Sequence, residues 1–343
     1  MLASPREAST VLSGHNCDTL SRALRFVLMV LGSFAYLSAS AQQVLTDNDF
    51  DVSVTAPAYV SEHPRVVVDQ AHHNLHTIEG HYKPFAKLLV NDGYQVEPGT
   101  APFEASALHG VAVLVVSNAR GGTATPPTGA PAFTSSECDA IQQWVKDGGS
   151  LLLIADHKPF GEAAYDLAIR FGVEMGKGYI FDPKSSEGNP TFLVFSRENG
   201  LLVDNALTRG RNQAERIDRL VAFTGQALTV PSSATVLMKL GPSAYEVDSP
   251  EIGHAIARAS VVGQDASKGN PGARAVTGRA QGVALEYGRG RVVVVGEAAM
   301  FSAQILKLNT PGGSDLHFGM NVAGNQDKQF ALNVAHWLSR KIN

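Results

Sequence analysis

Arg65-Val66-Val67-Val68-Asp69-Gln70-Ala71-His72-His73-Asn74-Leu75-His76-Thr77-Ile78-Glu79-Gly80-His81 reads as a short buried strand that runs into a polar turn and then a helix. Four of the chain's eleven histidines fall in its last ten residues. In an open α/β sheet, ligands sit outside the carboxyl ends of the strands, and that is where these side chains would stand. The stretch therefore sets both an expected fold and an expected place for chemistry.

The same grammar repeats on either side. Pro84 stands near the first turn of the next helix, where a missing N–H costs little. Phe85, Leu88 and Leu89 give that helix its apolar face, and Asp92-Gly93 ends it. Val111 to Val116 is an uninterrupted apolar run, as expected for a strand covered on both faces, and it ends in Ser117-Asn118. A Gly/Pro loop, residues 120–131, leaves from that strand end and is expected to act as a lid. Thr134 and Glu137 form a capping box for a helix with Ile141, Trp144 and Val145 inward, closed by Gly148-Gly149. The strand Ser150–Ala155 then ends in Asp156-His157, and a helix over 162–171 returns across the sheet. Strand, helix, strand and helix with short joints predict a doubly wound, mostly parallel sheet.

From about residue 180 to 285 the pattern becomes β-rich, with strands expected at 191–195, 220–223, 235–240 and 254–262. Val283–Tyr287 and Arg291–Val295 flank Gly288-Arg289-Gly290 as a hairpin, and the second arm runs into Gly296-Glu297. A last helix carries Phe330, Val334, Trp337 and Leu338 on one face.

At the other end, Arg22 and Arg25 precede an apolar run from Phe26 to Leu37, followed by Ala39-Ser40-Ala41. A run of 12 residues is too short to span a bilayer and suits a signal-peptide core. Residues 1–41 are read as an export signal and 42–64 as a tether or an edge strand at Val52–Val54. Residues 65–343 are read as one α/β domain with a β-rich insertion. The formal charge of −4, with no Lys/Arg block, argues against nucleic acid or an anionic membrane as partner. Cys17 would leave with the signal, so Cys138 stands alone. It shares helical spacing with Ile141 and Val145 and is expected to be packed. His336, in the last helix, is expected at the surface or half-buried.

Four strand ends offer chemistry: Asp69 with His72, Asn74 and His76; Ser117-Asn118; Asp156-His157; and Glu297. Imidazoles and carboxylates gathered at one edge can bind a divalent metal or divide general acid and base roles. Asp69, Asp156, His157 and Glu297 are the candidate catalytic groups, and His72, His76 and His157 the candidate metal ligands. Asn74, Asn118, Phe160 and Phe301 are expected to bind substrate, with Tyr82 as a further stacking surface. The bland alternative is that Asp69, Asn118 and Asp156 cap the following turns. His72 and His76 are four residues apart, but no HExxH accompanies them. A GxSxG elbow, a GxxxxGK[ST] loop and a GxGxxG fingerprint are all lacking.

Six stretches carry a resemblance: Asp69 to Thr77, Phe133 through Gly148-Gly149 to Asp156-His157, Phe195 to Gly200, Phe223 to Gln226, Gly296 to Gln304, and Gln329 to Leu338. In these the chain resembles class I glutamine amidotransferase-like domains of the non-amidotransferase kind, such as trehalose-utilisation-like proteins and the GIFT domain of intraflagellar-transport proteins. It resembles more closely an exported bacterial family of unknown function with that domain. The resemblance implies a flavodoxin-like sheet. It also implies that glutamine hydrolysis is absent, because amidotransferases carry a nucleophilic Cys where this chain has Asp156-His157.

Two functions are expected from different classes. One is an exported hydrolase, metal-assisted or not, acting on a small ester, lactone or glycan-derived substrate. The other is a non-catalytic periplasmic binding module for a carbohydrate or cell-wall fragment.

Overall fold

The computed structural model describes residues 44–186, 188–261, 272–307 and 315–343. The expected export signal, Cys17 included, lies outside the described residues. Val44–Asn343 forms one compact unit. In chain order its elements begin with β1 (Val44–Thr46), β2 (Arg65–Asp69), α1 (Lys83–Asn91), β3 (Gln95–Gly99), β4 (Val113–Ser117), α2 (Ser135–Lys146), β5 (Ser150–Ile154) and α3 (Phe160–Ala168). They continue with β6 (Tyr179–Phe181), β7 (Phe192–Ser196), α4 (Ala206–Arg209), β8 (Arg219–Phe223), β9 (Thr235–Lys239), β10 (Tyr245–Val247) and α5 (Pro250–Val261). The remainder is β11 (Ala273–Ala275), β12 (Ala280–Tyr287), β13 (Gly290–Val295), β14 (Ala303–Leu306), β15 (Leu316–Gly319) and α6 (Asp327–Leu338).

The architecture is mixed α/β: a central seven-stranded sheet in the order β3-β2-β4-β5-β13-β12-β9, with small antiparallel sheets around it. β3, β2, β4, β5 and β13 are mutually parallel. Taken in chain order these five run 2-1-3-4-5 across the sheet. Pro98 is tolerated in β3 because β3 is an edge strand. β12 pairs antiparallel with β13, and β9 pairs antiparallel with β12; the β12–β13 hairpin turns at Tyr287↔Gly290, as its glycines predict.

Alternation within the strands assigns the two faces. Val66, Val68, Val113, Val115, Leu152, Ile154, Val293 and Val295 pack with Phe85, Leu88 and Leu89 of α1 and Phe330, Val334 and Leu338 of α6. Val67, Leu114, Val116, Leu151, Leu153, Val292 and Val294 pack on the other side with Cys138, Ile141 and Val145 of α2 and Leu167 of α3. Helices therefore cover both faces, which is why these strands read as unbroken apolar runs. Cys138 is fully packed, and burial pushes its thiol up to about 11.

Four expectations need correction. The edge strand near the start is Val44–Thr46, paired antiparallel with β14, rather than Val52–Val54. Residues 50–59 are not a loose tether, because Phe50, Val52, Val54 and Ala58 lie on the core and Tyr59 is buried. The segment expected as a strand over 254–262 is helical: Ser249-Pro250-Glu251 supplies a helix start, and Ala255, Ala257 and Ala259, which mimic strand alternation, are strong helix formers. Most of the β-rich part shares the sheet's core, since Leu193, Phe195, Leu220, Leu237 and Met238 belong to the same apolar cluster as β2 and α6, while Phe181, Tyr245, Val247 and Ile256 form a small cluster of their own.

The fourth correction is His336, which is fully buried rather than at the surface or half-buried. Its Nε2 stands 2.7 Å from Asp92 Oδ2, while Asp92 Oδ1 accepts the Ala58 N–H at 2.8 Å. One carboxylate thus joins the initial segment, the end of α1, and α6. Removing one partner strands a polar group in a dry core. Asp92→Ala is therefore expected to lower stability by about 3–5 kcal/mol in urea unfolding. A loss below about 1 kcal/mol would show that the pair is not structural.

Candidate functional site

β2, β4, β5 and β13 are consecutive neighbours, so their carboxyl ends share one edge. The chain runs from β2 outward to β3, whereas β4 lies on the opposite side of β2. This reversal is the switch point at which open α/β sheets form a crevice.

The β2 end closes on itself. Asp69 is buried, and its Oδ1 accepts the Ala71 N–H at 3.1 Å. His72 Nδ1 lies 2.9 and 3.0 Å from the two Asp69 oxygens, and His72 Nε2 lies 2.9 Å from Glu137 Oε1. Carboxylates accept, so both ring nitrogens donate and the ring is an imidazolium. Burial opposes that charge, but the hydrogen bonds and charges of Asp69 and Glu137 outweigh it and raise the His72 pKa. The ring also stacks on Phe103 at 4.6 Å between centroids. Glu137 is the capping-box residue of α2; it also accepts from the backbone N–H groups of Phe103 and Thr134. Burial works against its charge, but these bonds bring it down to about 2. Asn74 accepts from His72 N–H and donates to Ser117 C=O, both within the fold.

His76 is the opposite case. Its ring stacks on Tyr82 at 4.6 Å, and its Nδ1 is buried without a partner. Burial, helped by the charge of His81, brings its pKa down to about 3, so the ring is neutral. Tyr82 donates to Ala298 C=O at 2.9 Å and accepts from Ser117 Oγ at 2.9 Å.

The ends of β5 and β13 keep open valence. Asp156 Oδ1 accepts the His157 N–H at 2.8 Å, and the Asp156 side chain is 16% exposed. His157, 24% exposed, places Nε2 3.9 Å from Asp156 Oδ1. Its Nδ1 lies 2.9 Å from the Lys158 carbonyl, which only accepts, so Nδ1 carries the proton and Nε2 is left open in the neutral ring. The ring stacks on Tyr179 at 4.2 Å. Behind this pair, Glu297 is fully buried and accepts from the N–H groups of Ala299 and Met300, each at 2.8 Å. Burial first, then the Asp156 charge, raises the Glu297 pKa well above its ordinary value. Asp156 is raised too, by burial, against the charge of His157. Glu297 is the member that holds the proton, because Asp156 has solvent and His157 beside it.

Two positioning amides complete the edge. Asn118, at φ +44°, accepts the Asp156 N–H on Oδ1 at 2.8 Å, and its Nδ2 is buried without a partner. Gln226 Nε2 donates to Ala155 C=O at 2.7 Å and to Asp156 C=O at 3.0 Å, with its own Oε1 unpartnered. Gln226 and Glu137 were missed in the sequence because neither lies at the end of a parallel strand. Gln226 follows the left-handed pair Thr224-Gly225 and ends the Phe223–Gln226 stretch that carries the resemblance.

Several expected roles do not survive. Phe160, Phe301 and Tyr82 are buried in the cores and offer no stacking surface. The rim aromatic is Tyr179 instead. The three candidate metal histidines are not gathered: both His72 nitrogens are taken, His76 is enclosed, and His157 lies on another strand end. Among the described residues no three His, Cys, Asp or Glu side chains are arranged to hold a metal ion. The loop over 120–131 is pinned at its start, where Arg120 donates from N and Nε to the carbonyls of His72 and His73. No helix among the described residues is long and apolar enough to cross a membrane.

No protein-family model and no curated sequence matches the chain. Solved structures do. The mmIFT52 N-terminal domain is 14% identical with a TM-score of 0.54, covering 80% of this chain and 97% of that one. A thuA-like protein from Parabacteroides merdae is 10% identical with a TM-score of 0.40, covering 82% and 91%. A GMP synthase-like protein from Thermoplasma acidophilum is 12% identical with a TM-score of 0.39, covering 82% and 96%. The likeness to the mmIFT52 domain is one of fold alone.

Two outcomes follow from the histidines. A depressed carboxylate contributes stability above about pH 4.5 that is lost as pH falls toward 2, and a raised histidine contributes stability below about pH 6.5 that is lost above its folded pKa. Glu137→Gln is thus expected to cost about 2–3 kcal/mol, with the greatest difference from wild type between about pH 4.5 and 6.5. A pH-independent difference in urea unfolding would contradict the ion-paired His72. His76, with its depressed pKa, contributes stability above about pH 6.5 that is lost as pH falls toward 3, up to about 4–5 kcal/mol. His76→Phe should flatten that acid loss; an unchanged melting-temperature profile between pH 7 and 4 would refute a buried neutral ring.

Proposed function

We propose that the chain is an exported hydrolase on a flavodoxin-like, class I glutamine amidotransferase-like sheet, acting on a small ester, lactone or glycan-derived substrate. The strand order 2-1-3-4-5 supports the fold reading. The observation that carries the reaction is the partly exposed Asp156–His157 pair, set at the shared carboxyl edge after β5 with the buried Glu297 carboxyl after β13 behind it.

In this reading, His157 Nε2 takes the proton of a water as its oxygen attacks the carbonyl carbon of an ester or lactone, including an ester carried on a glycan-derived substrate. Asp156, 3.9 Å away, stabilises the imidazolium. The same proton then passes to the leaving alcohol oxygen as the tetrahedral intermediate collapses, giving acid plus alcohol and restoring the neutral ring. Glu297 keeps its proton, so that Asp156 carries the only charge of the pair. Asn118 and Gln226 act as positioning residues, holding the Asp156 backbone from both sides. No metal step is invoked, because the ring nitrogens of His72 are already engaged and His76 is enclosed.

The second reading, a carbohydrate or cell-wall-fragment binder, is favoured by the stacked His157–Tyr179 ledge at the rim. One screen separates the two. Across p-nitrophenyl esters, lactones and glycosides, His157→Gln should lower kcat about 10²-fold or more and Asp156→Asn about tenfold or more. Turnover retained in His157→Gln would overturn the hydrolytic mechanism. A wild type that turns over nothing yet binds oligosaccharide, with the binding lost in Tyr179→Ala, would assign the binding role.

A further inference from the structure

We propose that a cavity of about 300 Å³ beside the site, lined by Met175, Lys177, Glu246, Asp248, Arg274 and Arg279, binds an oxyanion, a carboxylate or phosphate group. The charges in it do not cancel. Arg274 is occupied: its Nε lies 3.2 Å from Glu246 Oε2 and its Nη2 2.8 Å from Asp248 Oδ1. Glu246 also accepts the Lys177 backbone N–H at 3.2 Å. Both carboxylates are thereby answered. The Lys177 ammonium and the Arg279 guanidinium have no acidic partner among the described residues, and Arg279 Nε is buried without any acceptor there. A buried guanidinium N–H with nothing to donate to is costly unless an acceptor arrives. Arg279 is itself fixed, donating from Nη2 to Ala227 C=O at 2.9 Å. The wall is built without side-chain bulk: a Cβ at Gly176 would lie 2.7 Å from both Ala227 O and Glu246 Oε1.

The cavity shares a wall with the candidate site. Ala227, which holds Arg279, follows Gln226, whose Nε2 donates to the Asp156 carbonyl. Met175 Sδ lies 3.7 Å from that same Nε2. A substrate with its scissile bond at Asp156–His157 and an acidic group one side chain away would reach both. That last step, which makes the substrate anionic, rests on the hydrolytic reading; the oxyanion site does not.

The test is calorimetric titration of the full chain with inorganic phosphate and, separately, glucuronate at constant ionic strength, beside Lys177→Ala and Arg279→Gln. Saturable binding of either probe by wild type, weakened about tenfold in each variant, is expected. Lys177 is exposed, so Lys177→Ala decides the matter if Arg279→Gln does not fold. No saturable binding of either probe, or equal affinity in Lys177→Ala, would overturn the proposal. If anion binding holds but His157→Gln leaves turnover intact, the hydrolytic reading falls and the oxyanion site stands.

Discussion

A parallel sheet covered by helices on both faces confines its polar side chains to the strand ends. Anywhere else along β2, β4, β5 or β13 a carboxylate or imidazole would face Leu, Val or Ile on an adjacent helix, with a desolvation cost of several kcal/mol. Asp69, Ser117, Asn118, Asp156 and Glu297 all stand where the backbone leaves the sheet. Because the four strands are adjacent, one edge collects them all. The location of the site follows from that constraint before any chemistry is considered.

The edge then divides into two halves with different electrostatics. On the β2 side, each charged group has found a partner within the fold. Asp69, His72 and Glu137 form an ion-paired chain that joins the first strand end to the capping box of α2, and Asn74 ties the same turn to β4. On the β5–β13 side, two carboxyls share too little solvent for both to ionise, and several amide atoms have no protein partner. Groups that are fully answered hold a structure together, while groups with open valence beside solvent can act on something else. By that difference the open groups of this edge lie at Asp156-His157 rather than in the histidine-rich turn.

The strands, their order of appearance and the capping box were legible in the sequence because each rests on local signals: unbroken apolar runs, Pro at a helix start, and Thr134 three residues before Glu137. α5 was not legible, since alternating Ala residues satisfy the period of a strand as well as the propensity of a helix. His336 was not legible either. Its burial depends on Asp92, which lies 244 positions earlier in the chain, and no window of sequence contains both. Phe160 and Phe301 stand beside strand-end polar residues in sequence, yet chain direction after the strand turns both rings into the cores.

By itself, the sequence determined that this is an α/β protein with its polar groups at strand ends, because burial on two faces writes a period and a boundary into the residues. Only the tertiary structure decided which of those groups are open. Whether a histidine is an imidazolium between two carboxylates, a neutral ring under a tyrosine, or a partly exposed ring at the rim depends on partners brought from distant elements. His72, His76 and His157 are one residue type in three such environments, and the packing around each ring sets its partners and its access to water.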